Sequence, residues 1–164
     1  PVLIDGRSGS GKSFALQHYS QNHDAIYVRI QYNMRMADVL LAIADQINVD
    51  ITGLRPFQRI DKIVQMLVSL QRLLILDEME NQRSDVYRVL KDLVDNLTGK
   101  VGMVISGHEI WSEISGKATN GIRGMFQLRR RLQPKLVKLP KFDNDVILEG
   151  MHAIGIKDSK INRY

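Results

Sequence analysis

Residues 5–14 read DGRSGSGKSF and contain the motif that decides the fold. Gly6, Gly11, Lys12 and Ser13 satisfy the P-loop pattern G-x-x-x-x-G-K-[ST]. In this pattern the glycines let the backbone curl until several N–H groups point at phosphate oxygens. The lysine reaches the β- and γ-phosphates of a nucleotide, and the hydroxyl of Ser13 binds Mg²⁺. A flexible Gly/Ser linker has a similar composition, so the flanking sequence must decide between the two.

The flanking segments favour the phosphate-binding loop. Residues 1–4, PVLI, form a short apolar run typical of a buried parallel strand, and SFALQHYSQ (13–21) is typical of a helix. A helix that starts at the loop directs its N-terminal N–H groups at the phosphates. Strand, glycine loop and helix in this order are the context that the motif requires.

Composition is that of a globular domain. The chain has 164 residues, of which 44% are hydrophobic and 25% charged, enough for one domain with a sizeable core. It has no cysteine, no visible signal peptide and no apolar run as long as a membrane span, so we expect a cytoplasmic location. The net charge of +5 is compatible with a polyanionic partner. Because Pro1 leads at once into a strand, we expect a piece of a longer protein.

Strands and helices alternate along the rest of the chain. Apolar or β-branched runs predict further strands at 25–32, 73–78, 101–106 and 135–142. Apolar residues at helical spacing predict helices at 36–47, 59–72, 84–97, 123–132 and 144–156, with a short helix around EIWSEI (109–114). Ser84 is the expected N-cap of its helix, and Gly53 and Pro56 mark a loop. The alternation predicts an α/β fold with a five-stranded parallel sheet covered on both faces.

The stretch LLILDE (73–78) is a continuous apolar run that ends in two acids, as in a strand buried on both faces. Since open α/β sheets bind ligands at the carboxyl ends of their strands, Asp77 and Glu78 are expected beside the P-loop. Asp77 would hold Mg²⁺, directly or through water. Glu78 would take a proton from an attacking water if the backbone turns both acids into the crevice. The pair favours ATP hydrolysis, although two acids can also simply solvate a strand end.

Two other stretches carry candidate residues. VISGHE (104–109) ends a strand with Ser106 and His108, which either sense the γ-phosphate or belong to an ordinary turn. LRRRLQPKLVKLPK (128–141) has six basic residues and no acid. It is either a solvated surface or a source of phosphate-binding arginines, one of which could reach the nucleotide of a neighbouring subunit as an arginine finger.

In this order, GRSGSGKS (6–13), LLILDE (73–78), VISGHE (104–109) and RRRL (129–132) resemble the motifs of an AAA+ ATPase. Within that class the chain looks most like the family of the phage Mu B transposition protein, the ATPase partners of transposases. The closer resemblance rests on the helix after the acidic strand and on the stretches LQHYS (16–20), AIYVRIQYNMRMADVLLAIADQINV (25–49), GMVISGHEIWSEISG (102–116) and FQLRRRL (126–132).

The resemblance implies a P-loop NTPase αβα sandwich that binds ATP or ADP with Mg²⁺. Ser13 and Asp77 would serve the metal, and Glu78 would activate water. Arg131 best matches the arginine finger, with Arg130 as the second choice. The implied nucleotide-binding residues are Gly6, Arg7, Ser8, Gly9, Ser10, Gly11, Lys12, Ser13, Phe14, Asp77, Ser106 and His108.

The resemblance also implies partners. Such proteins bind double-stranded DNA with little sequence preference, assemble on it as an ATP-dependent ring or helical filament, and deliver the target DNA to a transposase. Arg35 and Arg83 are candidate DNA contacts, each weighed against a plain surface arginine. No membrane partner is expected. We expect an ATPase core at 1–142 and the start of a truncated helical lid at 143–164.

The chain departs from the family pattern in places. MEN follows the acidic pair where relatives often carry a small residue, then Asp and His, and neither Ser106 nor His108 is the usual sensor asparagine. Two alternatives stay open. A helicase loader or other replication-type AAA+ factor would share every ATPase residue. A small-molecule P-loop kinase is disfavoured by the acidic pair and the arginine cluster.

Overall fold

The computed structural model describes residues 1–139, which form one parallel sheet flanked by helices. The strands are β1 (Val2–Asp5), β2 (Ile26–Arg29), β3 (Leu74–Asp77), β4 (Met103–Gly107) and β5 (Leu136–Lys138). The helices are α1 (Lys12–Asn22), α2 (Met36–Gln46), α3 (Pro56–Leu70), α4 (Ser84–Leu97), α5 (Ile110–Thr119) and α6 (Met125–Leu132). The predicted α/β class and five-stranded parallel sheet are confirmed.

The strand order is β2-β3-β4-β1-β5, and all pairs are parallel. β4 therefore lies between β1, which leads into the P-loop, and β3, which carries the acidic pair. In this register Asp5 lies beside Gly107, and Arg29 lies beside Asp77. The loops after four different strands consequently meet at one edge of the sheet, as expected for an open parallel sheet.

The two faces of the sheet are covered unequally. Leu74 and Leu76 of β3 join the large hydrophobic core, which also includes residues of α2 to α6. Ile75 faces the other way and packs with Leu16 of α1. Because side chains alternate along a strand, Asp77 lies on the same face as Ile75. The alternation therefore places Asp77 on the side of the sheet that α1 and the P-loop occupy.

Several predicted boundaries are wrong in detail. Arg83, not Ser84, is the N-cap of α4, and α3 begins at Pro56 instead of after it. Proline suits a first helical position because its fixed φ matches the helix and its missing N–H has no partner there anyway. The short helix predicted around EIWSEI extends over ten residues. Residues 140–142 of the predicted last strand, the helix at 144–156 and the lid lie outside the described residues.

No helix among residues 1–139 is both long and apolar enough to cross a membrane.

Candidate nucleotide-binding site

The P-loop connects β1 to α1 through a tightly curled backbone. Gly9 and Gly11 have φ of 79° and 77°, in the left-handed region that glycine adopts without strain. Gly11 is also the N-cap of α1, so the loop runs directly into the helix. The first N–H groups of α1 lack helical partners and lie at the loop, which is the arrangement that phosphate requires.

Lys12 directs its ammonium group into this loop. Its Nζ donates to the carbonyl oxygens of Gly6 and Arg7, at 2.6 and 2.8 Å, and lies 3.3 Å from Ser10 Oγ. These three acceptors match the three donors of an ammonium group. The positive charge is thereby held at the centre of the loop, as the predicted phosphate-binding role requires.

Asp77 is a buried carboxylate with one free oxygen. The residue is fully buried, and its Oδ2 accepts a 2.7 Å hydrogen bond from the hydroxyl of Tyr27. Burial, together with this hydrogen bond, raises the pKa of Tyr27 to about 12, so the phenol remains a donor at neutral pH. Asp77 Oδ1 is shielded from solvent and has no hydrogen-bond partner among residues 1–139. A buried carboxylate oxygen without a partner is costly, so this atom is suited to receive a ligand.

Glu78 follows at a sharp turn of the backbone. Its φ of 58° takes it out of the strand conformation, and its side chain lines the P-loop cleft, as expected. Both of its carboxylate oxygens are occupied by Arg29, whose Nε and Nη2 donate at 2.9 and 2.7 Å. This bidentate pair is the strong form of a carboxylate–guanidinium contact. Glu78 therefore has the predicted position, and each of its oxygens accepts a hydrogen bond from Arg29.

Glu80 brings a second carboxylate to the same cleft. Its Oε2 is shielded from solvent and has no hydrogen-bond partner in the part of the chain that the structure describes. The nearly buried side chain of Gln82 donates to the carbonyl oxygens of Glu78 and Glu80, at 3.3 and 3.2 Å, and so fixes the turn. Gly107 faces Glu80 from β4, where a Cβ would lie only 2.8 Å from Glu80 Oε2.

These groups enclose a cleft of about 280 Å³. It is lined by residues of the P-loop and of the two neighbouring strand ends: Ser8, Gly9, Ser10, Gly11, Lys12, Ser13, Phe14, Glu78, Glu80 and Gly107. Of the predicted nucleotide-binding residues, the seven from Ser8 to Phe14 lie in its wall. Gly6 and Arg7 belong to the loop behind it, where their carbonyl oxygens hold Lys12.

The two sensor candidates do not line this cleft. Ser106 is fully buried in β4 on the same face of the sheet as Val104, and its Oγ has no partner. His108 is half-buried, and its Nδ1 also lacks a partner. The residue between them, Gly107, is the part of β4 that reaches the cleft. The sensor role of both residues stays a prediction.

The three arginines of α6 have different surroundings. The guanidinium of Arg129 lies 5.7 Å from the ring centre of Trp111, in a cation–π contact. Arg131 Nε lies 2.6 Å from Asp95 Oδ1, although its N–H is not aimed for a hydrogen bond, so the contact is an ion pair. Arg130 is exposed and makes no ion pair among residues 1–139.

The candidate DNA contacts Arg35 and Arg83 are exposed N-caps of neighbouring helices, α2 and α4. Asp85 connects them. Its Oδ1 pairs with Arg83 Nε at 3.3 Å, and its Oδ2 accepts from the backbone N–H of Met36, next to Arg35. The loop before α2 also presents Tyr32, whose side chain is 72% exposed. The structure thus brings the two predicted arginines to one surface.

The site fits a Mg²⁺ ion supported by a nucleotide. The unpartnered Oδ1 of Asp77 is a suitable oxygen ligand, and Ser13, which carries a hydroxyl, lines the cleft. The described residues contain no group of three or more His, Cys, Asp or Glu that could hold a metal by itself. A magnesium ion would therefore rely on phosphate and water oxygens for its other ligands, as is usual for this ion.

The sequence matches the family model described as AAA domain over residues 1–114. The chain belongs to the AAA family. It is thus an AAA+ ATPase domain with a P-loop NTPase fold, and membership implies nucleotide binding. The predicted AAA+ class is confirmed, whereas the closer likeness to the Mu B family remains a proposal. No curated protein sequence matches the chain.

The fold is similar to chains in structures of Drosophila ORC. In the structure of ORC bound to AT-rich DNA and Cdc6, the TM-score is 0.54 at 13% identity, over 93% of this chain and 56% of that chain. In the complex with GC-rich DNA and Cdc6, the TM-score is 0.54 at 14% identity, over 93% of this chain and 57% of that chain. For ORC bound to DNA, the TM-score is 0.55 at 12% identity, over 89% of this chain and 86% of that chain. At this identity the likeness shows the fold alone, and the chain spans little more than half the length of the first two.

Sequence reasoning missed several residues of the site: Tyr27, Arg29, Glu80, Gln82 and Gly107. Tyr27 and Arg29 lie on a strand that no motif marks, and only the parallel register brings them to Asp77 and Glu78. Glu80 left a weak signal, since it is an acid two residues after the acidic pair. Gly107 left no sequence signal, because its importance depends on Glu80, whose carboxylate faces it in the fold.

Proposed function

We propose that this domain hydrolyses ATP to ADP and phosphate. The proposal rests on one cleft, which contains the P-loop with its lysine and two carboxylates, Glu78 and Glu80, from the turn after β3. The P-loop would bind the phosphates, and Asp77 and Ser13 would support Mg²⁺, which would neutralise charge on the phosphate oxygens. A phosphoryl-transfer enzyme with a metabolite substrate needs no such water-activating carboxylate.

Glu78 is the proposed base of the stimulated reaction. In the arrangement described, Arg29 donates to both carboxylate oxygens, and we propose that its departure frees Glu78 to take a proton from water. Glu78 and Glu80 also line a second hollow of about 190 Å³, together with Tyr32, Asn81 and other residues of the adjacent loops. A ligand on those loops would therefore lie next to the residues that control hydrolysis.

Glu78→Gln tests this role in the full-length protein, since it keeps the shape but removes the base. We expect ATP to bind, DNA-stimulated turnover to fall by about 10²- to 10⁴-fold, and complexes with DNA to persist. Asp61→Asn is the matched control, because Asp61 is exposed on α3 away from the cleft. Stimulated turnover at the parent rate in Glu78→Gln would show that another group activates water.

Arg29→Ala tests the release step. Without the guanidinium, Glu78 is free in every molecule, so we expect turnover without DNA to rise toward the stimulated rate. Combining Arg29→Ala with Glu78→Gln should remove that gain. If Arg29→Ala leaves both rates unchanged, the ion pair does not restrain Glu78.

Arg130, the second choice from the sequence, is the better candidate for an arginine finger. A finger acting on a neighbouring subunit must be exposed and free to reach phosphate. Arg129 lies on Trp111, and Arg131 is exposed but paired with Asp95. Arg130 is exposed and makes no ion pair among residues 1–139. We therefore propose assembly into a ring or helical filament with Arg130 acting across the interface.

We propose that double-stranded DNA binds, without sequence preference, at the surface that contains Arg35 and Arg83. Both residues are exposed, and they lie at helix N-termini that meet at Asp85. Arg35→Ala and Arg83→Ala should each weaken binding to unrelated DNA sequences equally and reduce the slope of log K against log salt by about one. Arg88→Ala, on the exposed side of α4, is the control. An unchanged slope in both variants would place the DNA elsewhere.

The finer proposal is that the full-length protein delivers target DNA to a transposase, as its resemblance to the Mu B family implies. The alternative is a replication factor, a role that the ATPase residues serve equally well. A transposition assay with the full-length protein and a transposase encoded next to it distinguishes the transposition role from the replication role. Stimulation of strand transfer that is lost in Glu78→Gln or Lys12→Ala favours transposition, and stimulation of helicase loading instead favours the alternative.

A further inference from the structure

The turn after β3 carries two glutamates with opposite surroundings. Glu78 is held at both oxygens by Arg29, while Glu80 Oε2 is shielded from solvent and unpartnered. Both side chains line the cleft that the P-loop closes from the other side. A shielded carboxylate oxygen with neither water nor a donor is unfavourable, so its position demands an explanation that packing alone does not supply.

The surroundings of Glu80 keep it in this position. Positive φ at Glu78 and at Asn81 bounds the turn, and Gln82 binds the carbonyl oxygens within it. Gly107 leaves the space that the carboxylate occupies, since a Cβ there would lie 2.8 Å from Glu80 Oε2. Asp77, three residues earlier at the end of β3, is fully buried and also has an oxygen without a hydrogen-bond partner among residues 1–139, which is consistent with a ligand at this strand end.

We propose that Glu80 is a second catalytic carboxylate: while Arg29 holds Glu78, Glu80 faces the γ-phosphate of bound ATP and accepts the proton of the attacking water. The inference rests on the proposed hydrolysis of ATP at this P-loop. It assigns the slow, DNA-free reaction to Glu80 and leaves the stimulated reaction to Glu78.

The step balances without any further reactant. The water oxygen bonds to the γ-phosphorus while the bond from that phosphorus to the β–γ bridging oxygen breaks. The electron pair of the broken bond leaves with ADP, and the water proton passes to Glu80 Oε1, the oxygen of that carboxylate that is not shielded from solvent. The products are ADP and inorganic phosphate, and Glu80 later loses the proton to solvent.

The first test needs no turnover. The binding of ADP and of a non-hydrolysable ATP analogue is titrated in the absence of Mg²⁺ for the parent, Glu80→Gln and the control Asp61→Asn. If Glu80 faces the γ-phosphate, removing its charge relieves repulsion, so the analogue should bind at least about threefold tighter relative to ADP. The control should keep the parent ratio. An unchanged ratio in Glu80→Gln overturns the proposal.

The second test measures single turnovers of ATP with Mg²⁺ and without DNA. Glu80→Gln should slow the reaction at least about tenfold, the lower end for loss of a general base, while the control Asp61→Asn should slow it less than about threefold. Thermal unfolding of each variant checks that the fold is intact. Parent-like turnover in Glu80→Gln, no DNA-free turnover in the parent, or a larger loss in Glu78→Gln overturns the proposal. A parent that binds no nucleotide instead refutes the proposed function itself.

Discussion

Polar groups at the carboxyl edge of the sheet and along α6 are arranged in opposite ways. At the edge, Asp77, Glu80 and Ser106 each keep a buried oxygen without a partner. Along α6, Arg131 pairs with Asp95, which also binds Lys91 at 2.9 Å. Unpartnered buried groups cost free energy and indicate where a ligand completes the structure. Arg129 and Arg131 of α6 have an aromatic ring or an opposite charge beside them, although Asp95 Oδ1 and Arg129 Nε make no hydrogen bond among residues 1–139. They mainly hold the fold together, so proximity of a charge to a motif does not by itself give it a function.

Lys12→Ala should produce the largest change, because it removes the one cation at the centre of the P-loop. Loss of two or more charge-assisted contacts should weaken nucleotide binding by on the order of 100-fold or more. The fold should stay intact, since Lys12 contacts only its own loop. Titration with a fluorescent ATP analogue measures the affinity, and circular dichroism checks the fold.

Lys62→Ala is the matched control for this substitution. Lys62 is exposed on α3 and makes no ion pair among the described residues. It removes the same charge from the chain without touching the loop. If Lys12→Ala binds ATP as tightly as the control does, the P-loop assignment is wrong.

The arginines of α6 give the next largest expected effect. Arg130→Ala should spare ATP binding by single subunits and lower assembly-dependent hydrolysis by about 10³-fold or more, as loss of an arginine finger does. Arg131→Ala should lower it far less and mainly lose its ion pair with Asp95, which at this exposed site contributes no more than about 1 kcal/mol to stability.

Mixing subunits tests whether the arginine acts across an interface. Arg130→Ala and Lys12→Ala subunits each supply what the other lacks, so some interfaces in the mixture combine an intact P-loop with an intact arginine. Recovery of turnover on mixing is the expected result. If Arg131→Ala is the variant that loses activity and is rescued in this way, the ion pair with Asp95 breaks on assembly and the first choice from the sequence was right.

The sequence predicted those features that local patterns encode. The P-loop needs a fixed spacing of glycine, lysine and serine, and a buried central strand needs a continuous apolar run, so both were read directly from residues 6–13 and 73–78. The alternation of strand-like apolar runs with helix-like apolar spacing predicted the parallel sheet and nearly all helices. Errors concerned ends, such as Arg83 in place of Ser84 as N-cap of α4, because a cap depends on backbone geometry that several residue types satisfy.

The site was less predictable where it depends on pairing between distant strands. Arg29 reaches Glu78 across 49 positions of sequence, and only the parallel register of β2 with β3 makes that contact. The same holds for Tyr27 and Asp77. A spacing rule cannot describe such contacts. The P-loop was therefore predicted from the sequence, but the ion pair between Arg29 and Glu78, the predicted base, was not.

Gly107 offers the smallest but most local test of the edge of the sheet. In Gly107→Ala the new Cβ would lie 2.8 Å from Glu80 Oε2, 3.1 Å from Ile110 Cβ and 3.2 Å from the backbone nitrogen of Glu80. The last two contacts cannot be relieved by rotating a side chain end, so we expect a loss of about 1–3 kcal/mol in the free energy of unfolding.

Gly116→Ala is the matched control, because Gly116 lies within α5 and a Cβ there meets nothing within 4 Å. Alanine is favoured over glycine in a helix, so this variant should gain roughly 0.5–1 kcal/mol. Chemical denaturation of both variants measures the two changes, and their opposite signs are the expected result. Equal stability of Gly107→Ala and the parent would mean that the turn after β3 shifts easily. Glu80 would then not be fixed against β4, and the contrast between a rigid edge with unpartnered oxygens and the charge-compensated side chains along α6 would lose its basis.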